Sequence, residues 1–344
     1  METSLRPLTL GELLDRTAQL YRENFLLFAG IAAVYTGMLL IFSLLQIAVQ
    51  ELLRANGTLH QLQWVVWSLS GVTMIVAFIL SGATVAANNR AVGWLHLGQP
   101  ATIRGAYTSI LPQLGRYLWL MTITAVMVWL PIALLYAGYL VMLLVYAKPH
   151  GLMGRTGTAA VPVEAHAMGI FIGASIVFLL LMIPAGVYTV LMALRYSLAI
   201  PACVVENLKA RPAIRRSIAL SKGSKGRIFL LFLLVVAVNV GLLFLTQIVF
   251  LVMSVQHHGI LPAWIRAVQQ VVAFFTDTFV APILAIGLTL FYYDQRVRQE
   301  GFDIEWMMQA AGMAPPAAPE AASLQVRDVG GEANPEEGSG SVHE

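Results

Sequence analysis

The sequence predicts an all-α, polytopic membrane protein with six transmembrane helices, on three observations. Of its 344 residues 58% are hydrophobic and only 11% charged, against about 25% charged in a soluble domain; the mean hydropathy is +0.75. Six runs with few or no charges, about 24–50, 63–89, 117–147, 167–194, 228–253 and 267–293, each meet the roughly 20 residues that a bilayer-crossing helix needs. Between the fourth and fifth runs lies a basic elbow, VVENLKARPAIRRSIALSKGSKGR (204–227). It carries Lys209, Arg211, Arg215, Arg216, Lys222, Lys225 and Arg227 against a single acid, Glu206.

The elements follow in order. Residues 9–23, TLGELLDRTAQLYRE, read as an amphipathic helix: Leu10, Leu13, Leu14 and Tyr21 share a face, and Thr9 with Glu12 has the capping-box spacing. Two readings of it stay open, a helix lying in the membrane interface and a cytoplasmic extension of the first span. The third and fourth spans are the longest and contain Pro131 and Pro184, which favours tilt or a kink. Aligned without gaps, segments 9–28, 102–121 and 213–232 each begin with a short amphipathic stretch and enter an odd-numbered span. Arg116 and Arg227 occupy the same position, where the first copy has Glu23. The pattern suggests three helix-plus-hairpin units. Beyond the membrane domain (1–309), residues 310–344 are rich in Ala, Pro, Gly, Ser and Glu; such a segment cannot bury a core and is expected to be a disordered cytoplasmic tail.

Charge asymmetry orients the chain. Positive loops stay on the cytoplasmic side. With the elbow inside, only Arg54, Lys148, Arg155 and Arg266 of the 21 Lys and Arg fall on the other side, so a multi-pass protein with both termini cytoplasmic is expected. The lone cysteine, Cys203, excludes an intramolecular disulfide and a multi-cysteine metal site.

The candidate functional residues are few. The seven elbow cations are candidates for binding anionic lipid headgroups, each worth about 1 kcal/mol near the surface, or else they only set topology. Asp277 is the one acid well inside an apolar span, a functional candidate by default; the competing reading puts it near the outer interface, with Arg266, Gln269 and Gln270. Arg195 ends the fourth span and either snorkels to the headgroups or pairs with an acid such as Asp294. Gly169 and Gly173 form a GxxxG consistent with close helix packing. His257 and His258 are adjacent and chelate one metal poorly, so they read as loop residues. No P-loop, GxSxG or HExxH occurs. The expectation is therefore no catalytic set, no metal, no cofactor and no nucleic-acid partner. The expected function is a module that binds membrane lipid or a protein partner, a homo-oligomer included. The rival is a small-solute transporter built on Asp277 and the span prolines Pro131, Pro184 and Pro282, against which stands the lack of a clear cluster of intramembrane polar residues.

Three stretches, LRPLTLGELLDRTAQLYRENFLLFAG, LRYSLAIPACVVENLKARPAIRRSIALSKG and FYYDQRVRQEGFDIE, together resemble one family. It is the membrane domain attached to some bacterial glycerophosphodiester phosphodiesterases, a domain that also occurs alone. The resemblance covers roughly residues 5–309 and implies a six-span helical module of a bacterial inner membrane. It does not imply the phosphodiesterase activity, which in those enzymes belongs to a separate soluble barrel, and it transfers no catalytic residue.

Overall fold

The computed structural model describes residues 8–58, 60–147, 165–256 and 261–301. His257, His258 and the tail 310–344 lie outside the described residues. Among the described residues the secondary structure is helical, with six helices long and apolar enough to cross a membrane. These are α2 (Phe25–Ala55), α3 (Gln63–His96), α5 (Leu114–Met142), α6 (Ala165–Tyr196), α9 (Lys225–Gln256) and α10 (Ala263–Glu300). Four shorter helices, α1 (Leu10–Glu23), α4 (Ile103–Ile110), α7 (Ala199–Val205) and α8 (Ala210–Leu220), join them. The chain is a multi-pass membrane protein, and its long helices contain the core of every expected span.

Three short helices each precede a hairpin of spans: α1 before α2 and α3, α4 before α5 and α6, α8 before α9 and α10. Local sequence explains the first two starts. The Thr9 side chain accepts from the Glu12 N–H at 3.3 Å while Glu12 accepts from the Thr9 N–H at 2.7 Å, a closed capping box. Thr102 caps α4 in the same manner, accepting from the Gly105 N–H at 3.1 Å. The third helix starts differently, with Lys209 at its N-cap and no side-chain cap.

The apolar face of α1 is covered by protein. Leu13 and Leu20 are buried, and the helix is tied to α10 at both ends. The Leu8 N–H donates to Asp294 Oδ1 at 2.7 Å, and the Tyr21 hydroxyl donates to the Phe279 carbonyl at 2.7 Å.

Helices α2, α3 and α10 pack together, α9 lies on α10, and the α5–α6 hairpin joins this bundle mainly through α3, α7 and α8. Close crossings use glycine. A Cβ on Gly82 would stand 2.6 Å from a methyl of Leu118 on α5, and one on Gly287 would stand 3.0 Å from Leu231 on α9. Gly169 and Gly173 on α6, by contrast, face nothing within 4 Å. The GxxxG therefore packs no helix among the described residues, because α6 turns that face outward. Pro131 sits inside α5, and a helical proline strands the carbonyl four residues earlier. That carbonyl, of Met127, accepts from the Tyr188 hydroxyl of α6 at 3.3 Å, and the next one, of Val128, accepts from Thr189 at 3.1 Å. Side chains of a neighbouring helix thus satisfy the backbone where no water reaches.

Candidate functional site

The elbow closes one end of the bundle. Helix α7 stops at Glu206, and Asn207 then takes a left-handed backbone conformation with φ of 55°, which Asn tolerates better than most residues. Arg116 holds this corner: it donates to the Asn207 carbonyl at 3.0 Å and to its side-chain oxygen at 2.6 Å. The chain then enters α8, where Ala210, Ala213, Ser217 and Leu220 are buried on one face. Ser217 locks that face, since its hydroxyl donates to the Arg195 carbonyl at 2.9 Å. After α8, Gly223 makes the turn into α9 at φ of 84°, a conformation that suits glycine.

This framework divides the seven elbow cations into two groups. Arg216 and Arg227 point inward. Arg216 donates through Nε to both Glu206 oxygens at 2.9 and 3.1 Å, and through its terminal nitrogens to Glu300. Arg296 joins the same carboxylates, 3.1 Å from Glu300 and 3.7 Å from Glu206, and the Tyr292 hydroxyl donates to Glu206. Burial works against the Arg216 charge, but its bonds to Glu300 and Glu206 outweigh that and push its pKa up. Arg227 sits 3.2 Å from Asp294, donates to the Leu8 carbonyl at 2.8 Å and lies over the Phe291 ring.

Lys209, Arg211, Arg215, Lys222 and Lys225 point outward. All five are exposed, and among the described residues none has a carboxylate within ion-pair reach. Four of them, all but Lys222, are placed unfavourably in isolation. Lys209 and Arg211 stand at the positive end of the α8 dipole with no acid in the first turn. Arg211 and Arg215 are a like-charged pair one helical turn apart, which disfavours the helix by roughly 0.2–0.5 kcal/mol. Lys225 opens α9, again with no acid in its first turn. Negative charge supplied from outside the described chain relieves all three conflicts together.

Among the described residues Arg195 does not pair with Asp294, the acid suggested for it. Asp294 is taken by Arg227 and Arg298, the latter at 3.0 Å, while the Arg195 backbone carbonyl anchors α8. Asp277 lies about 25 Å along α10 from Asp294, at about 1.5 Å per residue, in a helix long and apolar enough to cross a membrane. It borders a cleft between α9 and α10 with Asn239, Thr246, Gln247, Gln269, Gln270 and Thr276. A second space on the α2 side of α10 also touches Asp277, with Thr36, Ser43 and Gln270. A polar cluster between the long helices therefore exists, which the sequence does not show. Its members lie singly or in adjacent pairs along α2, α9 and α10, and only the crossing of those helices assembles them.

Comparison with protein-family models, with curated proteins and with solved structures finds no match to this chain.

Proposed function

We propose that this chain is a bacterial inner-membrane module, with both termini cytoplasmic, that acts by binding anionic phospholipid headgroups at its basic elbow. The observation that carries this reading is the outward set Lys209, Arg211, Arg215, Lys222 and Lys225. These are five exposed cations without acidic partners among the described residues, at the mouth of a span. Cations placed only to set topology have no need of positions that oppose the helix dipole and one another. Charge asymmetry supports the cytoplasmic assignment, and the resemblance to the phosphodiesterase-associated membrane domain supports the inner membrane. Arg216 and Arg227 build the platform rather than meet lipid.

Native mass spectrometry of the protein released from its own membrane tests the reading. Phosphatidylglycerol or cardiolipin retained at fixed stoichiometry by the wild type, and lost when the five outward residues are changed to Gln, is the expected result. Equal retention by the neutralised protein overturns it.

A further inference from the structure

We propose that the cleft between α9 and α10 at Asp277 is a binding site for a primary ammonium group carried on a small apolar body. This site is separate from the elbow and does not depend on lipid binding there.

The cleft has the size and lining of a ligand site. Its volume is about 320 Å³, inside the range of small-molecule pockets. Leu243, Phe250 and Val272 give it apolar walls, and Asn239, Thr246, Gln247, Gln270 and Asp277 supply polar groups. Asp277 and Gln270 also reach the smaller space of about 110 Å³ toward α2, so both flank α10 at one level.

The chemistry selects the ligand. Asp277 has no hydrogen bond or ion pair among the described residues, and a carboxylate at such a depth is costly until matched. The neighbouring groups are neutral amides and hydroxyls, each with an oxygen that can accept. Asn239 Nδ2 donates to the Val235 carbonyl at 2.9 Å, and the Thr246 hydroxyl donates to Leu242 at 3.0 Å. Each keeps an oxygen able to accept. No Lys, Arg or His lines the space. One negative charge among neutral amides and hydroxyls that can accept suits a cation with several N–H donors, and a primary ammonium has three. A divalent metal fits less well. It needs more oxygen ligands with more charge, no group of three acidic, His or Cys side chains occurs among the described residues, and the space exceeds one ion. The apolar walls suit an alkyl chain.

Two sources can deliver this group, the amine of a phosphatidylethanolamine headgroup or a free amine solute. The test is calorimetric titration of the full chain in phosphatidylcholine nanodiscs with n-hexylammonium, and with n-hexanol as the neutral probe. Saturable binding of hexylammonium and none of hexanol is expected. Asp277→Asn should weaken the binding about tenfold or more, and Asn239→Leu should weaken it several-fold. Asp277 makes no bond among the described residues, so the Asn variant keeps its structure; an unchanged thermal unfolding midpoint checks this. If phosphatidylethanolamine added to the nanodisc weakens the apparent affinity, the lipid headgroup is the occupant. If it does not, the occupant is a free amine. Absence of saturable binding, equal binding by Asp277→Asn, or equal binding of hexanol overturns the proposal. So does a dimer that buries the cleft and takes no amine.

Discussion

The Asp294 side chain is wholly inaccessible to water, yet it is surrounded by Arg227, Arg298 and the Leu8 N–H. A buried carboxylate persists only when paired and hydrogen-bonded, and here the pairing joins the start of the chain, the mouth of α9 and the end of α10. Asp294→Asn should destabilise the protein by about 3 kcal/mol. The low end of the usual range applies because both guanidiniums reach solvent. Thermal unfolding in detergent measures this; an unchanged midpoint would show that the cluster holds nothing together. The sequence shows the cations and their surplus. It does not show that Arg216 finds Glu300 or that Arg227 finds Asp294, because those partners lie far along the chain and meet only through helix packing. Nor does it mark Asn207, whose role rests on a left-handed backbone angle and on its bonds from Arg116, far along the chain.

Among the helices, glycine sorts true crossings from apparent ones. Gly82 meets Leu118 on α5, so Gly82→Val forces the two helices apart and should lower stability by about 1–3 kcal/mol. Gly173→Ala adds a methyl to an open face. It should be neutral or stabilise α6 by up to about 1 kcal/mol through helix propensity. Denaturant titration of the two variants side by side checks both, and a reversed order would misplace the α3–α5 crossing. The GxxxG in α6 looks in sequence like the better packing motif. Spacing alone carries no information about which neighbour a helix face meets. The spans themselves are legible, since apolar length is a local property; the helix ends differ from the ends of the hydrophobic runs by up to seven residues.

Across the whole molecule, one device is used twice. Arg116, near the start of α5, clamps the Asn207 carbonyl just ahead of α8; Arg227, near the start of α9, clamps the Leu8 carbonyl just ahead of α1. The equivalence of these two arginines in the aligned repeats thus has a structural meaning, each tying its unit to the short helix of another. Hydrogen bonds to a charged group contribute about 1.5–3 kcal/mol. Arg116→Ala should therefore raise amide exchange about tenfold or more around 206–210, and Arg227→Ala around 8–12, with the spans unaffected. Uniform exchange across both variants would contradict the clamp. The Arg116 clamp and the Ser217 bond hold α8 so that Lys209, Arg211, Arg215, Lys222 and Lys225 face outward, and this outward set is the centre of the functional account. Its most direct test is the selectivity of the protein for spin-labelled phosphatidylglycerol over phosphatidylcholine, read as the motionally restricted lipid fraction. The account predicts a clear preference in the wild type that falls to parity when the five residues become Gln and survives when Arg54 and Arg266, at the opposite end, are neutralised. A preference that persists without the five elbow cations would contradict it.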